Sequence, residues 1–428
     1  MSGPRPASEP SLVQDTVYRR ARRDVVSNLH ALDDRLSRRH SPRARILFEA
    51  ASPMSFVVLR SLYQRLANDG RLELWFTAKG EVWRPKDLYK TFGITENVIS
   101  PRKAAWMKVD AFANTDFWDM TWLHRRTRRI HLFHGVAGKY NLDTPLDLAP
   151  TIAAFDCLMF VNTDRRDRYV NAGLVAPDGP QAALVGYPKV DCLVDGSLDR
   201  HAIARALGLN PGVPTVIYAP TWSPYASLNT AGEELIDRLA AEGLQVLVKL
   251  HDRSYDRGQR GAGGIDWSAR LARYASHPQV RVVREPDGCP YLAAADAMVS
   301  DHSSIAFEYM LLDRPVVVID CPGLIRHAAI STDKVERLRA SATLADGAAT
   351  AAAAVVRSLR EPGVLSAARQ RTAADLFYRP GTATDRAVAL LYELIGLPAP
   401  ADAASSIQPK HAPLAGQASW HFPSPYQF

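Results

Sequence analysis

Two hydroxyls and a carboxylate stand one helical turn apart in Met298-Val-Ser-Asp-His-Ser-Ser-Ile-Ala-Phe-Glu-Tyr309. The segment reads as a buried strand that stops at the polar turn Asp301-His302-Ser303-Ser304, where a helix begins. A second apolar strand follows in Leu311-Leu-Asp-Arg-Pro-Val-Val-Val-Ile-Asp320. The first amides of a helix have no partner within it, and the helix dipole adds positive potential, so this turn predicts an anion site. Glu308 lies four residues after Ser304 and shares its face. A phosphate contact beside a carboxylate able to hold ribose hydroxyls suits a nucleotide-diphosphate donor.

Other reactive side chains follow apolar runs. After Ile130–Phe133 comes His134-Gly135-Val136-Ala137-Gly138-Lys139-Tyr140. Its glycines let backbone approach a ligand closely, and an imidazole at His134 can take a proton from an attacking hydroxyl near neutral pH. After Thr215–Tyr218 comes Ala219-Pro220-Thr221-Trp222-Ser223-Pro224, a loop stiffened by proline that offers two hydroxyls. After Gln245–Lys249 comes His251-Asp252-Arg253, where a histidine can donate to charge building on a phosphate. A histidine satisfied within its own turn, or a rigid turn around a packed tryptophan, would leave the same trace.

These positions need a sheet to bring them together. Apolar strands are predicted at Ile46–Ala50, Leu72–Thr77, Val109–Asn114, Ile130–Phe133 and Cys157–Asn162. Five more follow at Thr215–Tyr218, Gln245–Lys249, Val280–Val283, Ala297–Ser300 and Pro315–Ile319. Helical patterns separate them, the first around Phe56–Leu66 after the turn Ser52-Pro53. Strands alternating with helices give a parallel sheet covered on both faces, and the nearly continuous Val, Ile and Leu runs agree. The expected fold is α/β: two doubly wound Rossmann-like domains facing across a cleft, with ligands at the strands' carboxyl ends. Residues 1–44 read as a basic, partly helical lead-in, 45–195 as an acceptor-side domain and 196–380 as a nucleotide-donor domain. Val190–Ala206 links the halves. A closing helix, within 381–396, is expected to pack back across them, and 397–428 reads as a disordered tail. No GxxxxGK[ST], GxGxxG after a strand, or GxSxG is present, which removes support for P-loop, dinucleotide and hydrolase chemistry.

Composition sets the outer bounds. The 428 residues suffice for two cores, and 47% hydrophobic with 23% charged residues is ordinary for a globular protein. No apolar run approaches the roughly 20 residues that span a bilayer, and the N-terminus lacks a signal-peptide core. A cytoplasmic location is the default expectation. Cys157, Cys192, Cys289 and Cys321 form no metal or redox spacing, and buried thiols are expected at Cys157 and Cys321. The net charge is +7, and residues 1–45 hold ten Arg against five Asp and Glu. Arg19-Arg20-Ala21-Arg22-Arg23, Arg38-Arg39-His40 and His124-Arg-Arg-Thr-Arg-Arg129 are the dense points. They suit an anionic membrane surface, although for each cluster taken alone a solvated helix face is the simpler reading. Nucleic acid is not expected, because no aromatics interleave with the arginines.

Taken together the motifs resemble the CDP-glycerol glycerophosphotransferases of teichoic-acid and capsule synthesis, which have the two-domain GT-B architecture. The resemblance runs from Ile130 to Ile319 through five motifs in order: His134-Gly135, Gly186-Tyr-Pro-Lys-Val-Asp191, Tyr218-Ala-Pro-Thr-Trp222, a strand ending at His251, and Asp301-His-Ser-Ser304 with Glu308 and Arg314-Pro315. The chain departs from the family at His302, Val136 and Asp252, where an aromatic, a threonine and a proline are usual. The resemblance implies transfer of an alcohol phosphate from a CDP-linked donor to a hydroxyl of a polyol-phosphate or glycan acceptor, lipid-linked in this family, with CMP leaving. It implies His134 as general base and His251 as stabiliser of phosphate charge. Ser303 and Ser304 would hold the pyrophosphate, Glu308 the ribose, and Asp301 would cap the helix or orient a histidine. Gly135, Lys139, Pro220 and Thr221 complete the expected substrate contacts. No cofactor and no tightly bound metal are expected, and the enzyme would work peripherally on the inner face of the plasma membrane. A GT-B glycosyltransferase or sugar-nucleotide epimerase using a UDP-sugar would share the same serine-and-glutamate site, and a non-catalytic binding module could retain it.

Overall fold

A computed structural model describes residues 25–26, 28–30, 32, 42–79, 83–118, 120, 122–136, 146–258 and 261–400. Most of the lead-in, Lys139 and the tail beyond residue 400 lie outside the described residues.

Two six-stranded sheets form the frame. The first contains β1 (Ala44–Ala50), β2 (Leu72–Ala78), β3 (Ala111–Asn114), β4 (Arg128–Leu132), β5 (Cys157–Phe160) and β6 (Ala182–Leu184). They run in the order β2-β1-β3-β4-β5-β6, all parallel. The second contains β7 (Thr215–Tyr218), β8 (Gln245–Lys249), β9 (Val280–Val283), β10 (Ala297–Ser300), β11 (Val316–Ile319) and β12 (Thr343–Ala345). Their order is β12-β11-β10-β7-β8-β9, again all parallel. This is the doubly wound α/β pair that the alternating pattern predicts. Every residue of β7, β8, β10 and β11 is buried, as expected where helices cover both faces of a strand.

In each sheet the chain reverses its direction of winding at one place. β2 lies on one side of β1 and β3 on the other; β8 lies on one side of β7 and β10 on the other. A crevice opens outside the carboxyl ends of such a pair, and ligands of doubly wound sheets bind there.

The helix Pro53–Leu66 starts at Ser52, whose side chain accepts the Ser55 amide at 3.2 Å. It buries Phe56, Val57, Leu59, Leu62 and Leu66. The chain crosses to the second sheet through the turn Pro188–Leu193 and the helix Arg200–Ala206. The last helix, Ala383–Leu394, returns to the first sheet, where Asp385 pairs with Arg65 at 2.6 Å. One continuous apolar core runs from β1 and Phe56 to Ile217, Leu247 and Met298 of the second sheet and to Tyr309 in the helix after β10. Cys157 and Cys321 are buried as expected, and burial pushes both thiols up to about 12.

β6 and β12 were not legible in sequence. Both are three-residue edge strands, and β12 leaves Leu344 47% exposed, so neither carries a buried apolar run.

Candidate active site

The loop after β4 carries His134, which is exposed. Its Nδ1 lies 3.0 Å from the Thr115 carbonyl oxygen. A carbonyl only accepts, so Nδ1 holds the proton and the neutral ring presents a bare Nε2 lone pair. The surrounding backbone is held on three sides. Gly135 donates its amide to the Tyr187 hydroxyl at 3.1 Å, Arg165 donates to the Gly135 carbonyl at 3.0 Å, and Asn162 donates to the Val136 carbonyl at 3.1 Å. Gly135 sits at φ +80°, a left-handed conformation that suits glycine.

His251 has the opposite polarity. Its Nδ1 accepts the Arg253 amide at 3.1 Å, so in the neutral ring the proton sits on Nε2. The indole of Trp222 lies 6.1 Å from the imidazole, and the Arg253 guanidinium lies 4.5 Å over that indole. The two sequence-predicted histidines are thus set by backbone partners to present an acceptor and a donor.

β10, β7 and β8 are neighbours, so the loops carrying Ser303, Thr221 and His251 leave adjacent strand ends. The helix after β10 spans Ile305–Met310 only. Ser304 is its N-cap and Ser303 is buried. The amides of Ser303, Ser304 and Ile305 donate to no other described residue.

Asp301 does not cap this helix, nor does it orient a histidine. It is fully buried and accepts the Thr221 amide at 2.9 Å, with the Ser227 amide and hydroxyl both at 3.1 Å. It therefore pins the Pro220–Thr221 loop to the start of the helix Ser227–Ala241, and its oxygens are occupied by protein donors. Pro220 and Thr221 are themselves buried. His302, which replaces the family's aromatic, is buried and bonds through Nε2 to Asp320 at 3.0 Å. Burial lowers its pKa, against the opposing pull of Asp320.

Glu308 meets a partner that the sequence reading missed. Lys189 Nζ donates to its two oxygens at 2.9 and 2.7 Å, and both side chains are nearly buried, at 6% and 5% exposure. Burial alone would lower the Lys189 ammonium, but the Glu308 carboxylate holds it well above the usual lysine range. The pair joins the turn Pro188–Leu193 to the helix after β10. In the same turn, Asp191 accepts the Gly381 and Thr384 amides at 2.7 and 2.6 Å and so anchors the last helix. Gly186, just before it, has φ +96°, and a Cβ there would meet the Tyr378 carbonyl at 2.5 Å. The signal that could have found Lys189 is a lysine within an otherwise apolar, glycine- and proline-led motif.

The sequence model of the CDP-Glycerol:Poly(glycerophosphate) glycerophosphotransferase family matches residues 161–321. No curated protein matches the chain. Among solved structures the chain is similar to the wall teichoic acid polymerase TagF, with 16% identity and a TM-score of 0.65 over 90% of this chain and 96% of that one. A variant of that polymerase soaked with CDPG matches at 15% identity and a TM-score of 0.61, over 90% and 95% of the two chains. The S. aureus MnaA-UDP co-structure matches at 14% identity and a TM-score of 0.52, over 82% and 97%. These likenesses establish the GT-B fold, and the family match covers His251, Ser303, Ser304 and Glu308 while His134 precedes it. Across residues 161–321 the chain is thus similar in sequence to the CDP-glycerol glycerophosphotransferases, and over most of its length it shares their fold with TagF.

Proposed function

We propose that this protein transfers glycerol phosphate, or a related polyol phosphate, from a CDP-linked donor to a hydroxyl of a cell-envelope polymer or lipid-linked acceptor. The observation that carries the reading is the pair of opposed histidines, His134 with a bare Nε2 and His251 with a protonated one. The acceptor hydroxyl attacks the donor's β-phosphorus and gives its proton to His134 Nε2. The new O–P bond forms as the bond from that phosphorus to the bridging oxygen breaks. The electron pair stays on the bridging oxygen, and CMP leaves. His251 donates to the phosphate oxygens as their charge grows, and the amides and hydroxyls of Ser303 and Ser304 receive the pyrophosphate. Glu308, oriented by Lys189, turns its remaining lone pairs to the ribose hydroxyls. Gly135, Pro220 and Thr221 line the approach, and Asp301 acts by holding the Thr221 loop.

The UDP-sugar alternative is supported by fold alone, and the likeness to the MnaA-UDP co-structure is the weaker one. Incubating the protein with CDP-glycerol, CDP-ribitol and a UDP-sugar set, with a lipid extract as acceptor, separates the readings by mass spectrometry. CMP release that His134→Ala abolishes supports phosphoalcohol transfer; UDP or UMP release alone refutes it.

The place of work is proposed to be an anionic membrane surface. Among the described residues no helix is long and apolar enough to cross a membrane. Val25, Leu29 and Leu32, spaced to share one helical face, are 58%, 44% and 52% exposed. His30 on the same segment stacks on His124 at 4.0 Å and meets the exposed Trp106 edge-on at 5.7 Å. Arg125 and Arg126 are exposed beside His124. An apolar stripe with an indole and flanking arginines suits an interfacial helix on anionic lipid. Leu29→Glu should reduce binding to phosphatidylglycerol vesicles, and high salt should reduce it further. Binding that is indifferent to both would refute this placement.

A further inference from the structure

The crevice between β1 and β3 contains a built polar site that the donor chemistry leaves unused. Glu49, next to last in β1, is 5% exposed. Its Oε2 accepts the Trp118 indole N–H at 3.0 Å and the Asn114 amide at 3.4 Å. Its Oε1 accepts from no described residue. Asn114 ends β3, and its side-chain oxygen lies 3.3 Å from His131 Nδ1 on β4, so three neighbouring strands contribute to one network. Lys79, just past β2, sets its ammonium 4.0 Å over the Trp118 ring.

The loop that holds Glu49 also holds the base. Thr115, whose carbonyl fixes His134, sits between Asn114 and Trp118. Its hydroxyl donates to Asp116 at 3.1 Å, and Ser55 donates to the same carboxylate oxygen at 3.3 Å. The base and the carboxylate are therefore positioned by one short, cross-braced segment, at the switch point where doubly wound sheets bind ligands.

We propose that Glu49 seats the acceptor, its unpartnered oxygen receiving the hydroxyls of a polyol-phosphate terminus while Lys79, lying on Trp118, meets the acceptor's phosphate. This rests on the phosphoalcohol-transfer reading above and adds the acceptor half to it. The geometry leaves Oε1 as a hydrogen-bond acceptor, the complement of an alcohol, and the cation beside the indole face suits a phosphodiester. Burial pushes the Glu49 carboxyl up to about 7, against the hydrogen bonds from Asn114 and Trp118 that lower it. A carboxyl kept in so unfavourable a place, at a crevice mouth, is characteristic of a site under functional demand.

The test uses a synthetic glycerol-phosphate trimer and CDP-glycerol as separate probes, with binding measured calorimetrically before any turnover. Glu49→Gln keeps the size and the bonds to Oε2, and should raise the trimer Kd by about tenfold to a hundredfold with the CDP-glycerol Kd unchanged. Trp118→Phe, which removes the indole donor, should move the trimer Kd in the same direction. Lys79→Ala should weaken the trimer more at low salt than at high salt. Unchanged trimer binding in Glu49→Gln overturns the proposal, as does an equal loss for both probes. Failure of the transfer reading appears separately, as a wild-type protein that binds both probes and releases no CMP.

Discussion

Replacing Lys189 by methionine would leave the Glu308 carboxylate buried without its counter-charge. The two hydrogen bonds, at 2.9 and 2.7 Å, are made by side chains only 6% and 5% exposed, so water cannot replace the lost partner. Breaking a buried pair from one side typically costs about 3–5 kcal/mol, whereas replacing both members by apolar groups of similar size is often neutral. Lys189→Met should therefore destabilise by roughly that amount, and Lys189→Met/Glu308→Leu should recover most of it. The coupling energy in the double-mutant cycle would be several times that of a surface ion pair, which is about 0.2–1 kcal/mol.

The assay is urea unfolding followed by tryptophan fluorescence, with hydrogen exchange read on residues 305–310 and 187–193. Exchange is needed because a chain with two sheets need not unfold in one step. The folded Lys189 titrates above its ordinary 10.5, so its contribution is fully present below that value and is lost only as pH rises through the higher folded one. The cost of Lys189→Met should accordingly be flat between pH 6 and 9. A cost below about 1 kcal/mol with additive single changes would mean that the pair is relaxed and solvated, and would refute the clamp. The double variant should fold yet bind CDP-glycerol poorly, separating Glu308's stabilising contact from its proposed hold on ribose.

Glu49→Gln gives a pH-dependent test of a different kind. The folded carboxyl lies at about 7 against an ordinary 4.5, so its stabilising contribution is fully present below about pH 4.5 and lost as pH rises through 7. The glutamine variant should be more stable than wild type by up to about 3 kcal/mol at pH 8 in urea unfolding, with the gap closing in acid. His134→Ala and His251→Ala should each cost about 10²–10³ or more in turnover with little change in unfolding midpoint, since the backbone bond each ring makes in its turn is a modest one. Retained turnover in either would remove that histidine from the mechanism. Gly186→Ala should be poorly folded by circular dichroism, because its Cβ would sit 2.5 Å from the Tyr378 carbonyl at φ +96°. A cooperatively folding, active Gly186→Ala would show that this turn can relax.

The fold was legible wherever a strand is buried on both faces. β7, β8, β10 and β11 are written as nearly continuous apolar runs, with polar residues only at their ends, because each lies between neighbours and under helices. The three-residue edges β6 and β12 were not legible, since a short strand paired on one side demands little of its side chains, whereas the longer edges β2 and β9 were. Within the site, His134 and His251 could be located from the strands before them, but the proton position on each ring could not. It depends on Thr115 and Arg253. Lys189 reads as a solvated cation until the fold brings Glu308, 119 residues away, against it. Glu49 reads as a break in an apolar strand, and only the order β2-β1-β3 turns it into a crevice residue. Asp301 was assigned to the wrong partner for a related reason. Its nearest helix in sequence starts four residues later, while the donors it satisfies, Thr221 and Ser227, belong to the loop after the adjacent strand and the start of the helix that follows it.

The motifs divide labour in a consistent way, and the division follows from burial. Each joins a side chain proposed for chemistry to one that holds backbone in place. In His134-Gly135 the histidine is exposed, while the glycine supplies a left-handed turn and an amide for Tyr187. In Gly186–Asp191 the lysine orients Glu308 while the aspartate ties down the last helix. In Asp301–Ser304 the aspartate is consumed by the neighbouring loop, and the serines are left at the strand end. A transferring phosphate needs donors and a base that do not reorganise as charge moves. Buried backbone bonds, too costly to break, provide that fixity without occupying the reactive atoms. The same logic assigns Glu49 to the presented class rather than the holding class. One of its oxygens is fixed by Asn114 and Trp118, and the other remains available in the crevice.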